Sequence, residues 1–178
     1  MSDPVARNLL PNPRPSATTP NPWQANNVSM QVEDDSIVLT SGQGGNCYAK
    51  TTLHLPAGSY VFSAHLKSTS ANFDPFSKRA LLVAAVNGIS VTVMGTTLYE
   101  SCPARYVCAL TIADECDVEF CMYAHSTASE RARWADAMVC TADDWQALRA
   151  MTPPVDYFDG GRITTSGTLI PDGGDSTT

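Results

Sequence analysis

From Val28 onward the chain is written in short runs of alternating or β-branched apolar residues, separated by Asp, Asn, Gly, Ser and Thr. A period of two marks strands with one buried face, and runs of this length predict an all-β sandwich of about eight strands. Val28, Met30 and Val32 alternate, Asp34-Asp35 supplies turn chemistry, and Ile37-Val38-Leu39 returns, which predicts a first hairpin. After a tight turn at Pro56-Ala57-Gly58, Tyr60, Phe62, Ala64 and Leu66 fall on one side of the plainest strand. Ser63, His65 and Lys67 fall on the other. Residues 81–86 read as a strand apolar on both faces, and Asn87-Gly88, suited to a type I′ turn, joins it to residues 89–94. Residues 105–112, 118–125 and 133–140 complete the set.

The flanks break this pattern. Pro4, Pro11, Pro13, Pro15, Pro20 and Pro22 crowd residues 1–26, and proline lacks the donor that a helix or central strand needs, so an extended arm is expected there. ADDWQALRAM is the one helical stretch, with Thr141 as its cap, Asp143 and Asp144 at the positive end of the dipole, and Pro153-Pro154 as its stop. Beyond it, Tyr157-Phe158 followed by Asp159-Gly160 reads as a clasp that pins the chain against the sandwich, and the Gly, Ser, Thr and Asp that follow read as a tail. The expected organisation is an extended Pro-rich N-terminal arm over 1–26, a β-sandwich over 27–142, and a short helix, clasp and flexible C-terminal tail over 143–178.

Composition narrows the function classes. The 178 residues are 43% hydrophobic and 16% charged with a net charge of −7, enough apolar material for one core but not for two. Apart from Lys78-Arg79, Lys and Arg are scattered singly, so no basic stripe exists to neutralise a phosphate backbone or an anionic lipid surface, and neither nucleic acid nor membrane is an expected partner. The start, MSDPVARNLLPNP, lacks the order of a secretion signal, and synthesis in the cytoplasm is expected. Of the six cysteines, Cys108, Cys121 and Cys140 lie inside strand-like apolar runs and no CxxC pair occurs, which favours reduced core thiols over a disulfide framework or zinc.

Candidate chemistry is sparse. No GxSxG, HExxH, P-loop or GxGxxG occurs, and His54, His65 and His125 are far apart in sequence, so no enzyme and no catalytic residue is expected. His54 and His65 could approach across the Pro-Ala-Gly turn, but a solvated pair is the expectation, and no metal is assigned. Asp34-Asp35, Asp114-Glu115-Asp117 and Asp143-Asp144 could offer oxygen ligands to calcium, yet without an EF-hand pattern they read as solvated turns. No cofactor is expected. Phe73 and Phe76, in the polar loop STSANFDPFSKRA, and Tyr99 beside Glu100 are the candidate ligand or interface residues. Rings in such a loop suit a neighbouring subunit or a sugar platform, with the subunit preferred.

Three segments in order resemble the carbohydrate-binding-module, galactose-binding-like type of jelly roll found in minor tail proteins of bacteriophages. RNLLPNP with Pro22-Trp23 is similar to the opening of those domains, although Arg14-Pro15-Ser16 stands where Ser-Phe-Glu is usual. LPAGSYVFSAHLKS looks like their turn and aromatic strand, and WADAMVCTADDW followed by YFDGG is similar to their last strand and ending, with Gly161 in place of an acidic residue. The resemblance spans residues 8 to 162. It implies an antiparallel jelly-roll β-sandwich that serves as a non-enzymatic structural or adhesion component of a phage virion, tail or fibre before capsid decoration. The alternative reading is a carbohydrate-binding module for a host cell-surface glycan. Expected partners are other virion structural proteins and copies of the chain itself in a homo-oligomer, such as a trimer, with the proline-rich arm docking along another subunit and dispensable for the fold.

Overall fold

The computed structural model describes residues 5–11, 22–43, 47–69, 81–85, 93–94, 96–97, 104–124, 127–158, 162–164 and 169–170. Among these the strands are, in chain order, β1 (Val5–Arg7), β2 (Gln24–Asn26), β3 (Val28–Glu33), β4 (Ser36–Ser41), β5 (Tyr48–Leu55), β6 (Gly58–Thr69) and β7 (Leu81–Ala85). There follow β8 (Val93–Met94), β9 (Thr96–Thr97), β10 (Ala104–Ile112), β11 (Cys116–Tyr123), β12 (Arg131–Thr141), helix α1 (Ala142–Ala150), β13 (Arg162–Thr164) and β14 (Leu169–Ile170).

Two sheets form the sandwich, one in the order β3-β4-β12-β6-β10-β9 and the other β2-β5-β11-β7-β8. From β5 to β12 the chain passes back and forth between them, and every pairing is antiparallel, which is a jelly-roll β-sandwich. The hairpin expected at Asp34-Asp35 is present: Glu33 pairs with Ser36, and the two aspartates have φ of 44° and 56°, the doubly positive geometry of a type I′ turn. The antiparallel pair β7–β8 is likewise formed, while Asn87-Gly88 lies outside the described residues. Pro56-Ala57-Gly58 carries the chain from one sheet to the other, so His54 and His65 stand in different sheets and do not form the pair considered above.

Between the sheets the inward residues exclude water. Tyr60, Phe62, Ala64 and Leu66 of β6 meet Val118, Phe120 and Met122 of β11, with Tyr106, Cys108 and Leu110 of β10 beside them. Phe62 lies edge-on to Phe120 across the sandwich at 5.2 Å, and Tyr106 edge-on to Trp134 at 5.7 Å, geometries that aromatic quadrupoles favour. The Trp134 indole N–H donates to the Tyr123 carbonyl at 2.9 Å, which ties β12 to the opposite sheet. No disulfide joins the described cysteines, and burial pushes the Cys108, Cys121 and Cys140 thiols up to about 12.

The middle of β12 departs from regular pairing. Going along β12 against β6, β6 first carries one extra residue beside Arg133/Trp134, and β12 then carries one extra between Ala135 and Met138. The slips are opposite in sense, so the strands part in the frame in which they met. At the second slip Asp136 takes φ 53°, and the inward set changes parity from Ala132 and Trp134 to Ala137 and Val139.

The arm and tail expectations are corrected where these segments are described. β4 pairs with β12 only as far as Ala135, which leaves the next stretch of β12 without a strand partner on that side. The N-terminal segment fills the gap: Leu9 N–H donates to Val139 O, Asn8 Oδ1 accepts from Val139 N–H and Leu10 N–H, and Asn8 Nδ2 donates to Ala137 O. Ala6, Asn8, Leu10 and Trp23 are buried, and β2 adds an edge strand to β5. At the other end β13 pairs with β1, and Ile163 is buried. The prolines mislead because the buried positions fall between them, and a partner strand from far along the chain overrides local composition.

A second, smaller core forms on the outer face of the six-stranded sheet. Val61, Met138 and Cys140 point out of the sandwich and are covered by Leu148 of α1, Phe158, Ala6 and Ile163. The helix is capped as expected, Thr141 accepting from Asp144 N–H at 3.1 Å, and it ends before the two prolines. No described helix is long and apolar enough to cross a membrane.

Asn8→Ala is expected to cost roughly 2–3 kcal/mol, because it strands buried backbone groups of β12 without partners. Urea unfolding of the variant measures this; a loss below about 0.5 kcal/mol, the scale of an ordinary surface change, would show that the groups find other partners.

Candidate functional site

Phe73, Phe76 and Tyr99, the ligand or interface candidates, lie outside the described residues, as does His125. Two other places gather polar chemistry on the sandwich.

The first is the outer face of the five-stranded sheet. Ala49, Thr51, Leu53 and Leu55 of β5 point inward, so Tyr48, Lys50, Thr52 and His54 point out. The register sets Asn26, Tyr48 and Tyr123 in one row, Gln24 beside Lys50 in the next, then Thr52 with Glu119, then His54 with Asp117. Rows two residues apart are about 7 Å apart, so the four rows span roughly 20 Å along the strands. The half-buried rings of Tyr48 and Tyr123 lie 5.1 Å apart at 42°. Lys50 is paired with Glu119, which raises the Lys50 pKa chiefly through that hydrogen bond. His54 meets Asp117 through Nδ1 at 2.7 Å and Glu115 through Nε2 at 2.8 Å, and these bonds raise its pKa. The sequence carried a signal for this face, the alternation of polar with buried residues along 48–55, but both tyrosines read equally well as core.

The second is a cleft of about 260 Å³ on the opposite side of the molecule, lined by His65, Arg105, Asp136, Asp156 and Tyr157. Arg105 is directly across from His65 in the β10–β6 register, and Asp136 comes from the bulge of β12. The Arg105 side chain is only 4% exposed. Its Nη1 donates to Ser63 Oγ at 3.0 Å and to the Asp136 carbonyl at 3.1 Å, and Nε faces Asp156 Oδ2 at 3.5 Å. His65 Nδ1 lies 3.7 Å from Asp136 Oδ2. Burial, helped by the Arg105 charge, lowers the His65 pKa against the smaller opposing pull of Asp136. A buried arginine is the feature that sequence reading misses, because arginine is ordinarily an exposed residue.

Among the described residues no group of three or more His, Cys, Asp or Glu is arranged to hold a metal ion. The acidic turns at Asp34-Asp35 and Asp114-Glu115-Asp117 are engaged in ion pairs instead, Asp34 with Arg133 and the latter group with His54.

No protein-family model matches the chain, and no curated protein matches it. Solved structures of family 29 carbohydrate-binding modules resemble it distantly. One complexed with cellulohexaose has a TM-score of 0.44 at 10% identity, covering 71% of this chain and 84% of that one. Another complexed with mannohexaose has a TM-score of 0.45 at 10% identity, covering 82% and 98%. Both likenesses are too remote to bear on what this chain binds.

The two described imidazoles are expected to titrate on opposite sides of the ordinary histidine value, His54 above it and His65 below it. The His54 ion pairs therefore stabilise the fold at low pH and are lost as pH rises through its folded midpoint. The neutral His65 contributes above the ordinary value and loses that contribution as pH falls below it. Proton NMR titration, with Asp117→Asn to move the His54 midpoint down, checks both; coincident midpoints would contradict the geometry.

Proposed function

We propose that the protein is a non-catalytic binding module that takes a neutral glycan chain across the outer face of the five-stranded sheet. The observation that carries this reading is the composition of that face: two tyrosine rings at one end, then amide, ammonium, hydroxyl and carboxylate groups in successive rows. Sugar rings offer an apolar face of C–H groups that lies against an aromatic ring, and a rim of hydroxyls that donate to carboxylates and accept from amides and ammonium groups. A span of roughly 20 Å suits several sugar residues in line rather than one. Glu115, Asp117 and Glu119 outweigh Lys50 and His54 along the strip, so acidic polymers are disfavoured.

Isothermal titration calorimetry against neutral oligosaccharides tests this. Tyr48→Ala and Tyr123→Ala are each expected to weaken binding about tenfold, equivalent to about 1.4 kcal/mol, with the fold retained. Tryptophan fluorescence is a poor reporter, because Trp23 and Trp134 are buried and Trp145 packs on the second core. A glycan array without a neutral hit, or binding untouched by both variants, would refute the reading.

The virion setting is a second proposal, supported by the resemblance of the segments that include Asn8, Tyr60 and Trp134 to phage minor tail domains. In that setting the module is an adhesion component of the particle, present in several copies beside other structural proteins. Mass spectrometry of purified particles is expected to find the chain among the structural proteins; its consistent absence would remove the virion reading while leaving the glycan reading intact.

A further inference from the structure

The cleft under residues 151–158 has features that a purely structural junction does not need. A salt bridge fastening the C-terminal segment to the sheet would be satisfied by Arg105 and Asp156 alone. Here the guanidinium also donates to Ser63 and to the backbone carbonyl of Asp136, the bulge residue with φ 53°. Aspartate tolerates positive φ, and at this bulge the turn of the backbone brings the Asp136 carboxylate to the border of the cleft. The result is that carboxylates from two separate elements, a bulged strand and a surface segment, border one space with an imidazole and a phenol ring.

Charge and size decide what fits. Arg105 lines the cleft and Lys67 lies close enough to act on His65, so two positive charges face the carboxylates of Asp136 and Asp156, while burial disfavours a charged His65. The charges balance, which favours neither an anion nor a bare cation. Carboxylates only accept, with about four lone-pair sites each, so they suit a ligand rich in O–H donors. Two adjacent hydroxyls can donate together to one carboxylate, with Tyr157 as an apolar wall for the ring behind them. At about 260 Å³ the space falls just below the ~300–1,000 Å³ typical of pockets for drug-sized ligands. That is room for one ring, in contrast to the long strip on the other sheet.

We infer that this cleft is a second, independent ligand site that takes a single uncharged polyhydroxylated ring, such as a terminal pyranose, held by Asp136 and Asp156 with His65 and Tyr157 at its walls. Asp156 acts as a contact residue and Arg105 as a positioning residue that fixes both acidic groups.

The test is a two-dimensional NMR titration of the full chain with free glucose, galactose, mannose and N-acetylglucosamine, each into the millimolar range, with glucuronate as the charged comparison. At least one neutral sugar is expected to give saturable shifts confined to His65, Asp136, Asp156 and Tyr157. Asp156→Asn should weaken that binding at least fivefold, and Tyr48→Ala, on the opposite sheet, should leave it unchanged. If Asp156→Asn fails to fold, His65→Gln serves in its place with the same expected loss. The proposal is overturned if no neutral sugar gives saturable shifts at these residues, if neither variant alters them, or if glucuronate binds more tightly than the neutral sugars. Because the strip and the cleft are read by different residues and different probes, failure of one leaves the other standing.

Discussion

The extra residue in β12 between Ala135 and Met138 is the constraint that organises everything on the outer side of the six-stranded sheet. It falls where β4 stops pairing with β12, so backbone groups on that side of β12 lose a strand partner, and buried groups of this kind must find others. Two long-range side chains supply them. Asn8, from the far end of the chain, takes the Ala137 carbonyl and the Val139 amide, and Arg105 takes the Asp136 carbonyl. Once Asn8 is fixed, β1 is carried alongside β12, where β13 and α1 pack against it. Once Arg105 is fixed, the segment bearing Asp156 has a buried charge to meet. The third layer, the small second core and the cleft all descend from one unpaired stretch of backbone.

The two faces of the sandwich are consequently unlike. The five-stranded sheet presents rows of partly buried side chains set by plain alternation, with Cys121 buried among them, a surface with lateral extent. The six-stranded sheet is roofed, and what it offers is a recess between strand and roof. Lateral extent suits an extended partner and a recess suits a compact one, which is why the two proposed sites call for ligands of different shape.

Where strands obey a period of two, the sequence was a sufficient guide. The Val28 to Leu39 hairpin, with aspartates able to take positive φ, and the inward set Tyr60, Phe62, Ala64 and Leu66 follow from local rules alone. Legibility fails at Trp134, Ala137 and Val139, which share one face only because a bulge shifts parity, something no alternation count reveals. It fails again at Ala6, Asn8 and Leu10, whose burial depends on a gap left where β4 stops. Arg105 escapes for a related reason: its burial is tolerable only in company with Ser63, Asp136 and Asp156, residues brought together by tertiary structure. Tyr48 and Tyr123 could be placed in strands from sequence, but not on an outer face, since that requires knowing which parity the sheet buries.

The pairing of β1 with β13 has a bearing on how the domain carries load. Val5 sits opposite Thr164 in an antiparallel ladder, and β14 turns back along the far side of β13. Force applied through β1 and β13 together would load three residue pairs before it reached the long ladders of the sandwich, so this small sheet would be the first part to yield.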